Sequence, residues 1–178
     1  MLGARFVLYK IFKMYDIKWD SVGTLRGDYI RKFFLFPNFW VEAQTNIGHN
    51  LKWKKYKFTR KNISKIPKSK GVYCFVLQPH VKNFFETRYL FYIGQTQRTL
   101  NIRFKEYLDE LDGKRKSRAK IKSILDKYYD RLFFYYVVIN SNSVIDEVED
   151  NLIDKFIPQA NVKVRRATIN PEFQYLYE

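Results

Sequence analysis

At 178 residues the chain can bury one sizeable core but not two independent ones of ordinary stability, so one domain with an extension is expected. Hydrophobic residues at 46% beside charged ones at 29% exclude a disordered tail. The balance of 33 Lys and Arg against 18 Asp and Glu gives +15, which points to nucleic acid, since each phosphate neutralised releases condensed counterions; charge kept for solubility and an anionic membrane surface are the other readings.

In chain order, the run Leu2 to Phe12 is apolar but broken by Arg5 and Lys10, and no small-residue cleavage site follows it. Neither a signal peptide nor a transmembrane span is expected, and no membrane partner. His49 and His80 are the only histidines, far apart and outside any metal-ligand spacing, and Cys74 is the only cysteine. These counts exclude an internal disulfide and a cysteine-rich zinc module, argue against histidine-based nuclease chemistry, and fit an intracellular, cytoplasmic setting. From Lys52 to Lys70 the chain holds nine Lys or Arg and no acid, with Trp53, Tyr56 and Phe58 interleaved. Rings among cations suit a groove that tracks a nucleic-acid backbone and stacks bases, with Lys52, Lys54, Lys55, Lys57, Arg60 and Lys61 as contacts. A solvated arm whose rings anchor it to the core fits the same pattern.

Beyond Lys70 the pattern becomes regular. Val72 to Leu77 and Tyr89 to Ile93 are apolar, β-branched and aromatic, which predicts two strands, and the intervening QPHVKNFFET predicts a long hairpin loop. Leu100, Phe104, Leu108 and Leu111 recur at three and four, predicting a helix from Thr99 that Gly113 ends. The basic stretch KRKSRAKIK, from Lys114 to Lys122, opens a second helix with Ile121, Ile124, Leu125, Tyr128 and Leu132 on its apolar side. Lys114, Arg115, Lys116 and Arg118 in that stretch, with Arg98 before the first helix, are further candidates for phosphate contact. LFFYYVVI, from Leu132 to Ile139, predicts a buried, central strand, and Ile145, Val148, Leu152, Ile153 and Phe156 predict a third helix stopped by Pro158. The order β-β-α-α-β-α predicts an α+β fold: a small three-stranded antiparallel sheet flanked by helices, preceded by an N-terminal extension. The expected division is an extension at 1–65, a core domain at 66–163 and a tail at 164–178.

Four short elements stand in a telling order. Gly71-Val72-Tyr73 lies on the first strand and Tyr92-Ile93-Gly94 on the second; Arg103 lies on the first helix, eleven residues after Tyr92 (103 − 92). The fourth is Glu149-Asp150-Asn151-Leu152-Ile153, followed by Pro158-Gln159-Ala160-Asn161. In order and spacing these resemble the GIY-YIG nuclease family across residues 66–163. Two departures stand out: a Tyr73 to Tyr92 interval of 19 (92 − 73), longer than is common in the family, and Tyr107 where many members carry histidine. Both occur in restriction-type members.

The resemblance implies a metal-dependent DNA endonuclease. Tyr73 would accept the proton of the attacking water, and Tyr92 and Tyr107 would position water or phosphate. The chemistry suits these residue types on its own terms. An arginine such as Arg103 can place two donors on a phosphate that gains charge. An oxygen ligand such as Glu149 suits Mg²⁺, with Mn²⁺ able to substitute. A phenol serves as base only if surrounding cations lower its pKa from near 10, and a chain this basic is expected to supply them around Tyr73. Arg103 and Tyr107, four apart, share a helix face, and Gly71 and Gly94 allow close backbone approach. Plainer roles compete: Tyr73 and Tyr92 as paired strand aromatics, Glu149 as a helix-rim acid, Arg103 as a solvated cation. Asn161 is structural in either case.

With only short flanking segments for target recognition, a restriction-type or stand-alone enzyme is expected ahead of a homing or repair-type one. The rival from another class is a non-catalytic nucleic-acid-binding protein on the same scaffold. A homodimer would suit cleavage of both strands of a symmetric site.

Overall fold

The computed structural model describes residues 50–79, 86–116 and 119–161, together with positions 33, 37, 40 and 41. By its internal contacts the chain divides into Met1–Phe33 and Phe34–Glu178, and all elements below belong to the second unit. The run Leu2 to Phe12, Arg118, the tail at 164–178 and most of the extension at 1–65 lie outside the described residues. Among the described residues no helix is long and apolar enough to cross a membrane.

Four strands form one antiparallel sheet: β1 (Lys54–Lys57), β2 (Gly71–Leu77), β3 (Tyr89–Thr96) and β4 (Leu132–Val138), in the spatial order β1-β4-β2-β3. Among the described residues from 50 to 161, three α-helices accompany them: α1 (Leu100–Leu111), α2 (Ala119–Tyr128) and α3 (Asn142–Phe156). The predicted order of elements from residue 70 onward is the observed one, and the strand at 132–138 is central as its unbroken apolar run requires.

The α+β class holds, but the sheet has four strands where three were expected. Lys54–Lys57 pairs with β4 in the register Lys54↔Tyr136 to Lys57↔Phe133. Three lysines in four residues hide a strand from a reading based on apolar runs. On a sheet edge they are at home, because charged side chains there discourage pairing with another chain. The Lys55 ammonium lies over the rings of Phe133 and Tyr135, at 5.4 and 5.6 Å from their centroids.

Strand alternation sends the side chains to two different layers. On one face Val72, Cys74, Ile93 and Val137 meet Ile145, Val148, Leu152 and Ile153 of α3, an aliphatic layer. On the other, Tyr73 and Phe75 of β2 join Phe134 of β4 under Phe104 and Tyr107 of α1, an aromatic one. Phe58, just past β1, meets Phe75 and Phe104 edge-on, each at 4.9 Å between centroids. Phe104 meets Phe134 at 5.0 Å and 90°, and Phe75 meets Tyr107 at 5.0 Å and 88°. Edge-to-face contacts set the positive ring edge against the negative face, so these pairs hold orientation as well as burying area.

Two further constraints fix α1 over this layer. Its first N–H groups, which no helical turn can satisfy, find partners in the loop that enters β2: Leu100 N donates to Ser69 O at 2.8 Å and Asn101 N to Pro67 O at 3.2 Å. The Thr99 side chain caps the helix by accepting from Ile102 N. Gly71 begins β2 where a Cβ would lie 2.0 Å from the Val137 carbonyl oxygen, so only glycine lets β2 and β4 close at this end.

Since Phe58 is fully buried at the junction of β2, α1 and the turn before β4, Phe58→Ala should cost about 3–5 kcal/mol in urea or thermal unfolding. A loss below about 1 kcal/mol would show that the aromatic layer does not carry α1.

Candidate active site

The cluster is built by three elements. β2 supplies Tyr73, β3 supplies Tyr92 from the neighbouring strand, and α1 crosses above with Arg103 and Tyr107 one turn apart. Ring centroids separate Tyr73 from Tyr92 by 6.2 Å and from Tyr107 by 5.9 Å, and Tyr92 from Tyr107 by 6.4 Å. Gly94 faces Tyr73 across the β2–β3 ladder, and a Cβ there would come within 2.6 Å of the Tyr73 Oη. Any other residue at 94 would displace the phenol, so this glycine sets where the hydroxyl sits.

The polar atoms converge. Tyr73 Oη and Tyr107 Oη share a hydrogen bond of 2.9 Å. Arg103 Nε donates to Tyr73 Oη at 3.0 Å, and Arg103 Nη2 donates to Tyr107 Oη at 3.3 Å. The guanidinium also lies over the Tyr107 ring, 4.7 Å from its centroid. Its remaining contact is with Glu106, whose Oε2 accepts from Arg103 Nη1 at 2.9 Å. Glu106 is nearly buried and is met by two more arginines, Arg98 and Arg115, each 2.8 Å from Oε1.

Electrostatics follow from this placement. Tyr73 is wholly buried and holds its proton well above the usual tyrosine range; burial is the main cause, Tyr92 adds to it, and Arg103 opposes it. The expectation that abundant cations would lower this phenol counts charge over the whole chain, whereas rings and a single guanidinium surround it. Burial also works against the charge of Arg103, but Tyr73, Tyr107 and Glu106 beside it outweigh that and hold its pKa above the ordinary value. Burial raises the Glu106 carboxyl, yet its bonds to Arg115, Arg103 and Arg98 prevail and bring it from 4.5 down to about 2.

Glu149 stands on α3, the helix that covers the other face of the sheet, and is buried with 6% of its surface exposed. Among the described residues no group of three or more His, Cys, Asp or Glu could form an all-protein metal cage. Asn161 clasps the outer edge of β3: its Oδ1 accepts from Ile93 N at 3.0 Å and its Nδ2 donates to Ile93 O at 2.8 Å. It acts as one residue of a further strand, which holds the Tyr92-Ile93-Gly94 segment in place.

The predicted cations are not alike. Lys52, Lys54, Lys55, Lys57, Lys61 and Lys116 are exposed. Arg60 is committed to Asp112, with Asp109 at 3.8 Å, and Lys114 pairs with Asp112 at 3.2 Å. Arg98 and Arg115 reach Glu106, while Arg118 falls outside the described residues. Sequence reasoning missed Glu106 and Tyr136. The first was signalled by its i,i+3 spacing from Arg103. The second had no signal, since its role depends on lying across from Tyr73. Tyr136 stacks against Tyr56 at 6.4 Å, and both rings line a groove of about 700 Å³ with Lys52, Lys54 and Lys65.

The family model described as GIY-YIG catalytic domain matches residues 70–161, just over half of the chain. Comparison with curated proteins and with solved structures returns no match.

The Glu106 shift fixes a pH dependence. Its folded value, about 2, lies below its ordinary 4.5, so the unfolded chain takes up the proton first as pH falls. The stabilisation, on the order of 3 kcal/mol, is therefore complete above about pH 4.5 and drains away toward pH 2. Thermal melts of the native chain and Glu106→Gln should differ most above pH 5 and converge as the solution is acidified; a constant gap down to pH 3 would contradict the assignment.

Proposed function

The chain belongs to the GIY-YIG nuclease family, and from that premise we propose that it is a metal-dependent DNA endonuclease of the restriction-type or stand-alone kind. Phosphodiester hydrolysis takes place at Tyr73, Tyr92, Arg103, Tyr107 and Glu149. The observation that carries the reading is the fixing of Arg103. A guanidinium has five N–H donors, and three are engaged by Tyr73, Tyr107 and Glu106, which leaves two. A group locked by three partners and holding two spare donors is preorganised for a phosphate whose oxygens gain charge as water attacks, and one such donor is worth on the order of a hundred- to thousandfold in rate.

Tyr73 accepts the proton of the attacking water only as its own proton leaves, because burial keeps the phenol protonated beforehand. The adjacent Tyr107 oxygen, 2.9 Å away, receives that proton while Tyr107 passes its own to an oxygen of the bound phosphate, and the Arg103 Nε–H steadies the charge that develops on Tyr73 Oη during the transfer. Tyr92, half-buried at the rim, positions water or phosphate. Without an all-protein cage among the described residues, the fitting cation is one that accepts a single carboxylate and keeps most of its waters. Mg²⁺ meets that condition, Mn²⁺ can replace it, and Glu149 is the residue that would hold it. When bound, the ion polarises the phosphate and the leaving oxygen.

Substrate contacts extend from the cluster to Lys52 and Lys54, and to Arg98 and Arg115. We assign catalysis to residues 66–163 and target recognition to the basic segments around it, in an intracellular protein that acts as a homodimer where both strands are cut. A homing or repair role uses the same chemistry with other recognition elements.

With plasmid DNA and Mg²⁺ or Mn²⁺, the native chain should nick or linearise, and a chelator should stop it. Arg103→Ala and Glu149→Ala should each lower cleavage at least a hundredfold, by the rough worth of one transition-state contact, while salt-sensitive binding persists. Tyr73→Phe should slow turnover with little change in melting temperature. Tight binding without cleavage under any metal would leave a non-catalytic DNA-binding protein, and equal loss of binding and cutting in the Arg103 and Glu149 variants would make those residues structural.

A further inference from the structure

We propose that Arg98 and Arg115, gathered by Glu106 beside Arg103, form a second phosphate site that holds a backbone phosphate next to the one being cut. The inference rests on the nuclease reading for what occupies Arg103, and on its own geometry for the rest.

Glu106 has one negative charge, and three guanidiniums meet it. Its Oε1 accepts from Arg115 at 2.8 Å and lies 2.8 Å from Arg98 Nη2, and its Oε2 accepts from Arg103 at 2.9 Å and from Arg98 at 3.0 Å. The carboxylate is thereby saturated, and even with Glu110, whose charge also acts on Arg115, the group keeps a surplus of one positive charge (3 − 2). The cations come from three points of the chain: Arg98 from the turn between β3 and α1, Arg103 from α1 itself, and Arg115 from the segment after it. Bound to one carboxylate, their nitrogens lie within about two hydrogen-bond lengths of each other, roughly 6 Å, where like charges repel. A simple staple between turn and helix would need one arginine. Other ion pairs among the described residues balance cations and acids: Arg60 and Lys114 share Asp109 and Asp112, while Arg88, Lys122 and Arg131 each meet one acid.

The surplus has free donors. Arg98 spends only its Nη2 and Arg115 only its Nη1 on Glu106, and their side chains are 61% and 50% exposed. What remains on each is enough for a fork on a phosphate's oxygens. Arg103, only 20% exposed, faces the tyrosine cluster, so a strand that places one phosphate at Arg103 brings its neighbour to Arg98 and Arg115. Glu106 is the positioning residue. It touches no substrate, but it fixes the spacing between the two phosphate sites and aligns Arg103 through Nη1.

The test uses the full-length protein and a duplex oligonucleotide carrying its mapped cleavage site, with single phosphates near that site replaced in turn by neutral methylphosphonate. For the native chain one replacement beside the scissile phosphate should weaken binding about tenfold, the scale of one charged contact. The Arg98→Gln, Arg115→Gln double variant should start about tenfold weaker, show a salt slope shallower by about one, and lose nothing more at that same replacement. Glu106→Gln should raise KM and lower kcat together, with its fold checked by melting near neutral pH. The proposal is overturned if the double variant stays as sensitive to every replacement as the native chain, or if its salt slope is unchanged. Absence of cleavage by the native chain would instead sink the nuclease reading. The salt slopes, measured on plasmid fragments, would still decide the fate of the phosphate site.

Discussion

A guanidinium that is four-fifths withdrawn from water must be held by its surroundings, and nearly everything at this site can be traced to how Arg103 is held. Taking such a cation out of solvent is costly unless charge and hydrogen bonds replace what water supplied. Glu106 supplies the charge, and two phenols and the face of Tyr107 supply the rest. This solution is local to α1: Arg103, Glu106 and Tyr107 stand at i, i+3 and i+4, all reachable from one helix face. Only Tyr73 comes from elsewhere, and the sheet must deliver its hydroxyl to that face.

The fold meets this demand by keeping its two layers chemically distinct. On the α3 side the buried layer is largely aliphatic, which suits a helix that buries area, and the same helix carries buried Glu149, the residue proposed to hold the metal. On the α1 side it is aromatic, and the rings bring their polar tips together under the helix, where Oη of Tyr73 and Tyr107 meet out of contact with water. Gly94 completes the arrangement by omission. With no side chain at that rung of β3, the Tyr73 ring can lie flat enough for its hydroxyl to reach α1, and Asn161 keeps the rung in register from outside. The catalytic signature of the family and the packing of this layer are thus one requirement: the glycine and the tyrosine are opposite each other because each needs the other there.

Much of this was legible beforehand, and the failures have physical causes. The strands at 71–77 and 132–138 and the helix at 100–111 carry unbroken or strictly periodic apolar patterns, which local sequence determines. β1 was not legible. Its four residues have no apolar run of their own and become a strand only by pairing with β4, more than seventy residues away in the chain. The convergence of Tyr73, Arg103 and Tyr107 followed from family spacing, but Glu106 did not: its i,i+3 relation to Arg103 is visible, while the arrival of Arg98 and Arg115 depends on turns at either end of α1 whose course the sequence does not state. The proton affinity of Tyr73 was misjudged for a related reason. Net charge is a property of the whole surface, whereas the phenol responds to what lies within a few ångströms, and there burial prevails.

The same alternation that hid β1 divides the basic segment in two. Lys54 and Tyr56 lie across from Tyr136 and Phe134, on the face that carries Tyr73, and with Lys65 they line the groove that adjoins it. Lys55 and Lys57 point the other way, and Lys55 rests on the rings of Phe133 and Tyr135. Lysines adjacent in sequence therefore do not form one patch: a nucleic acid seated at the tyrosine cluster, as proposed, would pass Lys54 and would have to round the sheet edge to meet Lys55. Their division has a structural logic as well: an edge strand with cations on both faces is hard for another chain to extend.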